Sequence, residues 1–263
     1  MSNVALAVQE ELTVKEHILN LLRMVKREGM DILIGWLSSS DYFEAPSSRQ
    51  HHSAYKGGLA IHSYNVYLLL GQKVKIFGLD ILDESVIICS LLHDLCKVNF
   101  YKEGGKECSE AQYNFLQSLY GKRIAWGNPV DKDFESKFVS EGVVKRDIPG
   151  EVATILIDWL KNKPNEKLPE LPLSWSIEDQ FPMGHGEKSV SMIQDFIKLT
   201  MEEKLAIRWH MGPWEIGTML DCQAKNAFNR AKEMFPLVTL LQTADFEASS
   251  ILERGNEQWA QLY

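Results

Sequence analysis

Residues 89–97 read CSLLHDLCK, and they close a run that otherwise has the character of a buried helix. They follow DESVII, so Val86, Ile87, Leu91, Leu92 and Leu95 are expected to face a core. Yet His93 and Asp94 stand side by side in the middle of that run, with Lys97 one turn later. An imidazole beside a carboxylate is costly to bury unless other groups pair with both. The reading of the whole chain turns on what those other groups are.

On either side of this stretch the periodicity is helical. Residues 12–38 carry apolar residues at helical spacing, with a break near Gly29, and residues 39–57 form a Ser-rich polar connection. Helices are expected at about 58–77, 83–97 and 111–121, then at about 186–198, 201–211, 222–234 and 236–254. Thr200 followed by Glu203 makes a capping box at the start of one of them. Residues 98–172 differ: GG, GNP, IPG and NKPNEKLPELP are turn and linker signals around one convincing helix, GEVATILIDWLKN. Residues 173–184, LSWSIEDQFPMG, are the best candidate for a short strand or β-hairpin. The expectation is an all-α fold, one domain over 1–263, with a mixed insertion at about 98–172.

Composition bounds the function. With 263 residues, 45% hydrophobic and 24% charged, the chain has the make-up of a globular protein with a sizeable core. No apolar run is long enough for a membrane span, and MSNVALAVQEELTVKEH lacks a basic segment followed by an apolar one. The four cysteines show no CxxC pairing, and Cys89 and Cys96 read as small buried hydrophobes. These features point to a cytoplasmic protein. A net charge of −8 argues against a partner held as duplex nucleic acid on a broad basic face. A phosphate-bearing substrate stays open, because metal ions supply positive charge locally.

Several polar residues fall on apolar stripes. His62 shares a line with Leu59, Val66 and Leu69; His93 shares one with Val86, Ser90 and Lys97, with Asp94 about 100° further round. Asp245 is the only charge on the stripe Val238, Leu241, Ala248, Leu252. His210 closes EEKLAIRWHM, and His185 precedes a helix in GHGEKS. A single histidine on an apolar face is ordinarily a satisfied core residue. Four of seven histidines and two carboxylates in such positions are better explained by convergence, since one metal cluster answers six desolvation costs together. The donor set suffices for two metal ions with Asp94 between them. Nitrogen and oxygen ligands without thiolate suit divalent Mn, Fe, Co, Ni or Zn better than Mg or Ca. A pair of such ions activates water and neutralises phosphoryl oxygens, as phosphate-ester hydrolysis requires.

With these motifs in order (GGLAIHS, LLHDLCK, GHGEKS, RWHM, TADFEAS), the chain resembles the HD-domain phosphohydrolase superfamily over roughly residues 45–97 and 180–253. The resemblance implies a helical bundle with the site at its centre. It implies one metal on His62, His93, Asp94 and Asp245, and a second on His185 and His210 with Asp94 bridging. Both extra histidines are similar to the binuclear branch, which includes cyclic-dinucleotide phosphodiesterases; the simpler nucleotidases keep the first four ligands. HHSAYKGGLAIHS is also similar to the HD domain of bacterial 3′-to-5′ exoribonucleases, without an evident oligonucleotide-binding domain before it. HDLCK stands where many members have HDIGK, and a Gly-Tyr-Pro after the ligand histidine is absent, which argues against cyclic-di-GMP.

The expected activity is metal-dependent hydrolysis at phosphorus, on a small phosphate ester or a short nucleic acid. Asp94 and Lys97 carry the chemistry in this reading. His52 contacts substrate or acts as an acid near the leaving group, and Lys188 and Arg208 contact phosphate. The alternatives are a nucleoside mono- or triphosphate phosphohydrolase, and a non-catalytic nucleotide-binding protein.

Overall fold

The computed structural model describes residues 12–49, 51–128, 130–163, 166–171, 174–212 and 222–253. The chain divides into two compact units, Met1–Phe100 with Asp179–Tyr263, and Tyr101–Glu178.

In the first unit the order is α1 (Val14–Met24), α2 (Met30–Ser39), α3 (Gly58–Phe77), α4 (Asp83–Leu92), a 3-10 turn at Leu95–Lys97, α8 (His185–Gln194), α9 (Met201–Arg208), α10 (Cys222–Met234) and α11 (Pro236–Glu247). A π-helical turn, Ala248–Leu252, continues α11. The helix starts follow from the sequence: Thr13 with Glu16 and Thr200 with Glu203 form capping boxes, and Pro236 opens α11. α3 is central and packs against α1, α4 and α11, while α9 packs against α8 and α11. Leu59, Val66 and Leu70 of α3 meet Ile87, Ile88 and Leu91 of α4 and Val238, Leu241 and Ala244 of α11 in one core. Each such fully buried Leu or Ile contributes about 1.5–3 kcal/mol. α4 is buried from Ser85 to Leu92, on all sides, which is why its sequence lacks a polar face.

The helix expected over 83–97 is shorter than its apolar run. α4 ends at Leu92, Asp94 takes φ −102° and ψ 23°, and the chain resumes as the 3-10 turn. The helix therefore breaks at the His-Asp pair, so the simple 100° offset between neighbours does not apply. A second departure joins distant parts of this unit. Glu203 is fully buried and takes Arg27 bidentately at 2.7 Å on each oxygen, with the Ser85 hydroxyl at 2.7 Å.

The second unit has its own apolar core, built from Leu116 and Tyr120 of α5 (Glu110–Ala125), Phe134 of α6 (Lys132–Phe138), and Leu156 and Trp159 of α7 (Gly150–Asn162), with Val144 and Ile148. α5 starts on a Ser109–Gln112 capping box. β1 (Tyr101–Glu103) pairs antiparallel with β4 (Trp175–Ile177), Lys102 opposite Ser176. The strand expected within 173–184 is thus present, but its partner is 74 residues upstream rather than across a local turn. The short hairpin is β2 (Val139–Ser140) with β3 (Val143–Val144), whose turn residues Glu141 and Gly142 both take positive φ. Leu173, and parts of the linker signals at 164–165 and 172, lie outside the described residues. Among the described residues no helix is long and apolar enough to cross a membrane, and none of the four cysteines forms a disulfide.

Candidate metal centre

Four helices deliver the polar residues that the apolar stripes carry. His62 comes from the first turns of α3, and His93 and Asp94 from the break after α4. His210 follows the end of α9, and Asp245 lies on α11. His62 and His93 are wholly buried, His210 is 1% exposed and Asp94 2%.

The two histidines beyond helix ends are held by the same device. The last carbonyls of a helix lack intrahelical partners. His93 Nδ1 donates to the Ser90 carbonyl at 2.8 Å, and His210 Nδ1 donates to the Ile207 carbonyl at 2.7 Å, each three residues back. Tyr42 serves a further carbonyl of α4, donating to Leu91 O at 2.6 Å. A carbonyl only accepts, so both Nδ1 atoms carry protons, and the Nε2 atoms project inward. His62 is held in the same sense by Glu253, whose oxygens lie 3.0 and 3.2 Å from Nδ1.

Three Nε2 atoms thus meet two carboxylates. His62 Nε2 lies 3.1 Å from Asp245 Oδ1 and 3.6 Å from Asp94 Oδ2. His93 Nε2 is 3.4 Å from Asp94 Oδ2 and 3.3 Å from His62 Nε2. His210 Nε2 faces the other oxygen, Asp94 Oδ1, at 3.5 Å. Lys97 Nζ caps Asp94 Oδ2 at 2.6 Å. Burial works against charge on Asp94, His62, His210 and Asp245, and the cluster outweighs it. Desolvation pushes Asp94 up, but Lys97 and His93 hold it well below the usual carboxylate range. Burial pushes His62 down, but its hydrogen bonds to Asp245 and Glu253 raise it to about 10. His210 is likewise raised, Asp94 offsetting its desolvation.

His52, from the 39–57 connection, brings its ring to 5.0 Å from that of His62. Burial, then the charges of His62 and Lys97, lower it to about 4, so it is neutral near pH 7. Gly58 permits this approach: a Cβ there would lie 1.9 Å from the Ser53 carbonyl.

Three further residues read as part of the site have close partners of their own, and His185 also feels the charges of Asp94 and His210. His185 is the first residue of α8, lies outside the groupings able to hold an ion among the described residues, and has Nδ1 3.2 Å from Cys96 Sγ. Cys96, read as a packing residue, is buried as expected but also touches that imidazole. Lys188 Nζ is paired with Asp179 at 2.5 Å and lies over the Phe100 ring. Arg208 Nε is paired with Glu187 at 2.8 Å, its guanidinium stacked on Trp209. The residue that sequence reasoning missed is Glu253, which lies off the Asp245 stripe beyond the π-turn; its only sequence signal is a carboxylate one residue past the apolar run.

Buried atoms test whether a cation fits here. Asp94 Oδ1, His210 Nε2 and His52 Nε2 are buried and have no hydrogen-bond partner among the described residues. His62 Nε2 lies 3.1 Å from Asp245 Oδ1 and 3.3 Å from His93 Nε2, so in the metal-free site a proton on His62 sits among these donors, where a cation could replace it. Atoms left without a hydrogen bond are costly in a protein interior, and a divalent cation would satisfy Asp94 Oδ1, His210 Nε2 and His52 Nε2. The sets His62–His93–Asp245 and His93–Asp94–His210 each bring ligand atoms within 4.8 Å of one another, so the cluster can hold a metal ion. The donors are imidazole and carboxylate, which suits first-row transition ions. The chain matches no protein-family model, no curated protein and no solved structure.

Proposed function

We propose that this chain is a metal-dependent phosphohydrolase of the HD type, acting as a phosphodiesterase on a nucleotide, a cyclic nucleotide or a short oligonucleotide. The observation that carries this reading is the convergence of three Nδ1-anchored histidines on Asp94 and Asp245, with Asp94 Oδ1 and His210 Nε2 buried 3.5 Å apart and neither making a hydrogen bond. Divalent ions bound there supply a hydroxide at neutral pH and neutralise charge on a phosphoryl group. In this reading His62, His93, Asp94 and Asp245 would hold one ion, and His210 and His185, with Asp94 shared, would hold a second.

The remaining residues have roles that their surroundings support. Lys97 balances the charge of Asp94 and would offer a cation beside it to a phosphate oxygen. His52 is neutral, so it serves as a hydrogen-bond donor to a leaving oxygen rather than as a charged acid. Lys188 and Arg208 contact phosphate only by exchanging their carboxylate partners Asp179 and Glu187.

Metal content of the purified protein, measured with turnover of 2′,3′-cyclic nucleotides, short RNA and dNTPs in Mn²⁺, tests this function. The expected result is hydrolysis that disappears in Asp94→Ala. Full activity of metal-stripped Asp94→Ala protein defeats it. Nucleotide binding without turnover under any metal makes the chain a binding protein instead. One observation favours a second reading, a nucleoside mono- or triphosphate phosphohydrolase with one ion: His185 stands apart from the ion-holding groups. Anomalous scattering separates the two, since one peak supports the nucleotidase and two the phosphodiesterase.

A further inference from the structure

The surroundings of His62 differ on its two nitrogens in a way the other histidines do not share. His93 and His210 rest on backbone carbonyls, whereas His62 is gripped by carboxylates on both sides, Asp245 at Nε2 and Glu253 at Nδ1. The two carboxylates are eight residues apart on one continuous helical segment. An unbroken α-helix would turn residue 253 about 80° away from the face of Asp245. The π-turn at Ala248–Leu252 takes more residues per turn and removes that offset, so both side chains reach one imidazole. A π-turn is uncommon enough that its placement between these two carboxylates calls for a local cause.

Glu253 is itself fully engaged. Its side chain is 3% exposed, and it accepts from Ser53 Oγ at 2.8 Å, from Asn65 Nδ2 at 3.1 Å and from His62 Nδ1. His52, His62 and Glu253 are close enough to form an ion-holding group of their own. An ion there would take the Nδ1 lone pair, displace that proton and compete with the Ser53 and Asn65 donors. A supporting role fits the hydrogen bonds better than a ligand role.

We propose that Glu253 is the positioning residue of the metal centre: by accepting the Nδ1 proton of His62 it fixes the ring's tautomer and orientation, so that Nε2 is presented to the ion beside Asp245. The network through Ser53 and Asn65 ties that orientation to the connection carrying His52 and to α3. Carboxylates behind metal-bound histidines raise ligand basicity as well as fixing the ring, and losing one weakens metal binding about 10–100-fold. This role rests on His62 being a metal ligand, not on the reaction that the metal serves.

Zinc, which is diamagnetic, is the probe. Chelator competition on the full chain should give about 10–100-fold weaker binding in Glu253→Ala, and a smaller loss in Glu253→Gln, which keeps an acceptor oxygen without its charge. Nitrogen-edited NMR of zinc-loaded wild type should show His62 metallated at Nε2 with its Nδ1 proton retained. Zinc binding as tight as wild type in both variants overturns the proposal. Metallation of wild-type His62 at Nδ1 overturns it too, and that measurement stands even where the variants fail to fold. Zinc bound through Nε2 with no turnover of any phosphoester defeats the proposed function and leaves the role of Glu253 standing. Turnover with unchanged zinc affinity in the variants does the reverse.

Discussion

At the scale of single residues, the site is built from side chains that complete something else before they meet one another. His93 and His210 satisfy helix-end carbonyls, and Tyr42 satisfies a third. Tyr42→Phe should therefore leave Leu91 O buried without its partner and destabilise the protein by about 1–3 kcal/mol, read as a lower urea midpoint. Asp94→Asn keeps the shape but removes the charge that faces Lys97, His93 and His210. It should abolish stoichiometric metal binding, measured by elemental analysis, while Asp179→Asn, at a residue that faces Lys188 and the Phe181 amide, should not. The histidines were legible in the sequence because imidazoles are rare on apolar stripes and stand out there. Glu253 was not, because a glutamate after an apolar run looks like any solvated residue until the π-turn brings it round. The carboxylates that pair with Lys188 and Arg208 were invisible for a related reason: each cation's partner is set by tertiary approach or by rotamer, neither of which spacing specifies.

At the scale of elements, α3, α7 and α10 begin and end where periodicity and turn residues put them, over 58–77, 150–162 and 222–234. The end of α4 was not readable, since Leu92 is followed by neither Gly nor Pro and the apolar pattern runs on through Leu95. At that end the His93 ring donates to the Ser90 carbonyl, a contact that no local residue pattern announces. The pairing of β1 with β4 was equally hidden, because it spans a long stretch of chain and carries no local turn. α8 is placed by a close approach at Gly186, where a Cβ would lie 2.2 Å from Arg208 O and 2.6 Å from Ile207 O. Gly186→Ala should push the start of α8 off the end of α9 at a cost of about 1–3 kcal/mol. Faster hydrogen exchange through α8, with α1 and α2 unaffected, is the expected signature.

At the scale of the whole molecule, the Glu203 carboxylate links the Arg27 corner, α4 and α9 from inside the core. Burial raises its pKa, but Arg27 and Ser85 hold it below its ordinary value of 4.5. A depressed folded value means the unfolded chain takes up the proton first. Glu203 thus stabilises the fold above pH 4.5, and the contribution is lost as pH falls through its folded value. Glu203→Gln should cost on the order of 2 kcal/mol at neutral pH, less than a fully buried pair because Arg27 retains some exposure. The gap from wild type in urea melts should close on acidification; a gap independent of pH would rule this out. The anchoring of His93 and His210 to carbonyls also bears on how the protein would survive losing a bound ion. Neither ring is released when a metal leaves, since its tether belongs to the helix end and not to the ion. Stripping with a chelator should then remove only the mass-action stabilisation, about 2.7 kcal/mol at a metal concentration one hundred times the dissociation constant. Unlike a zinc finger, which unfolds without its metal, this chain should keep its helical circular dichroism when emptied and reload on simple addition of metal, with no refolding step.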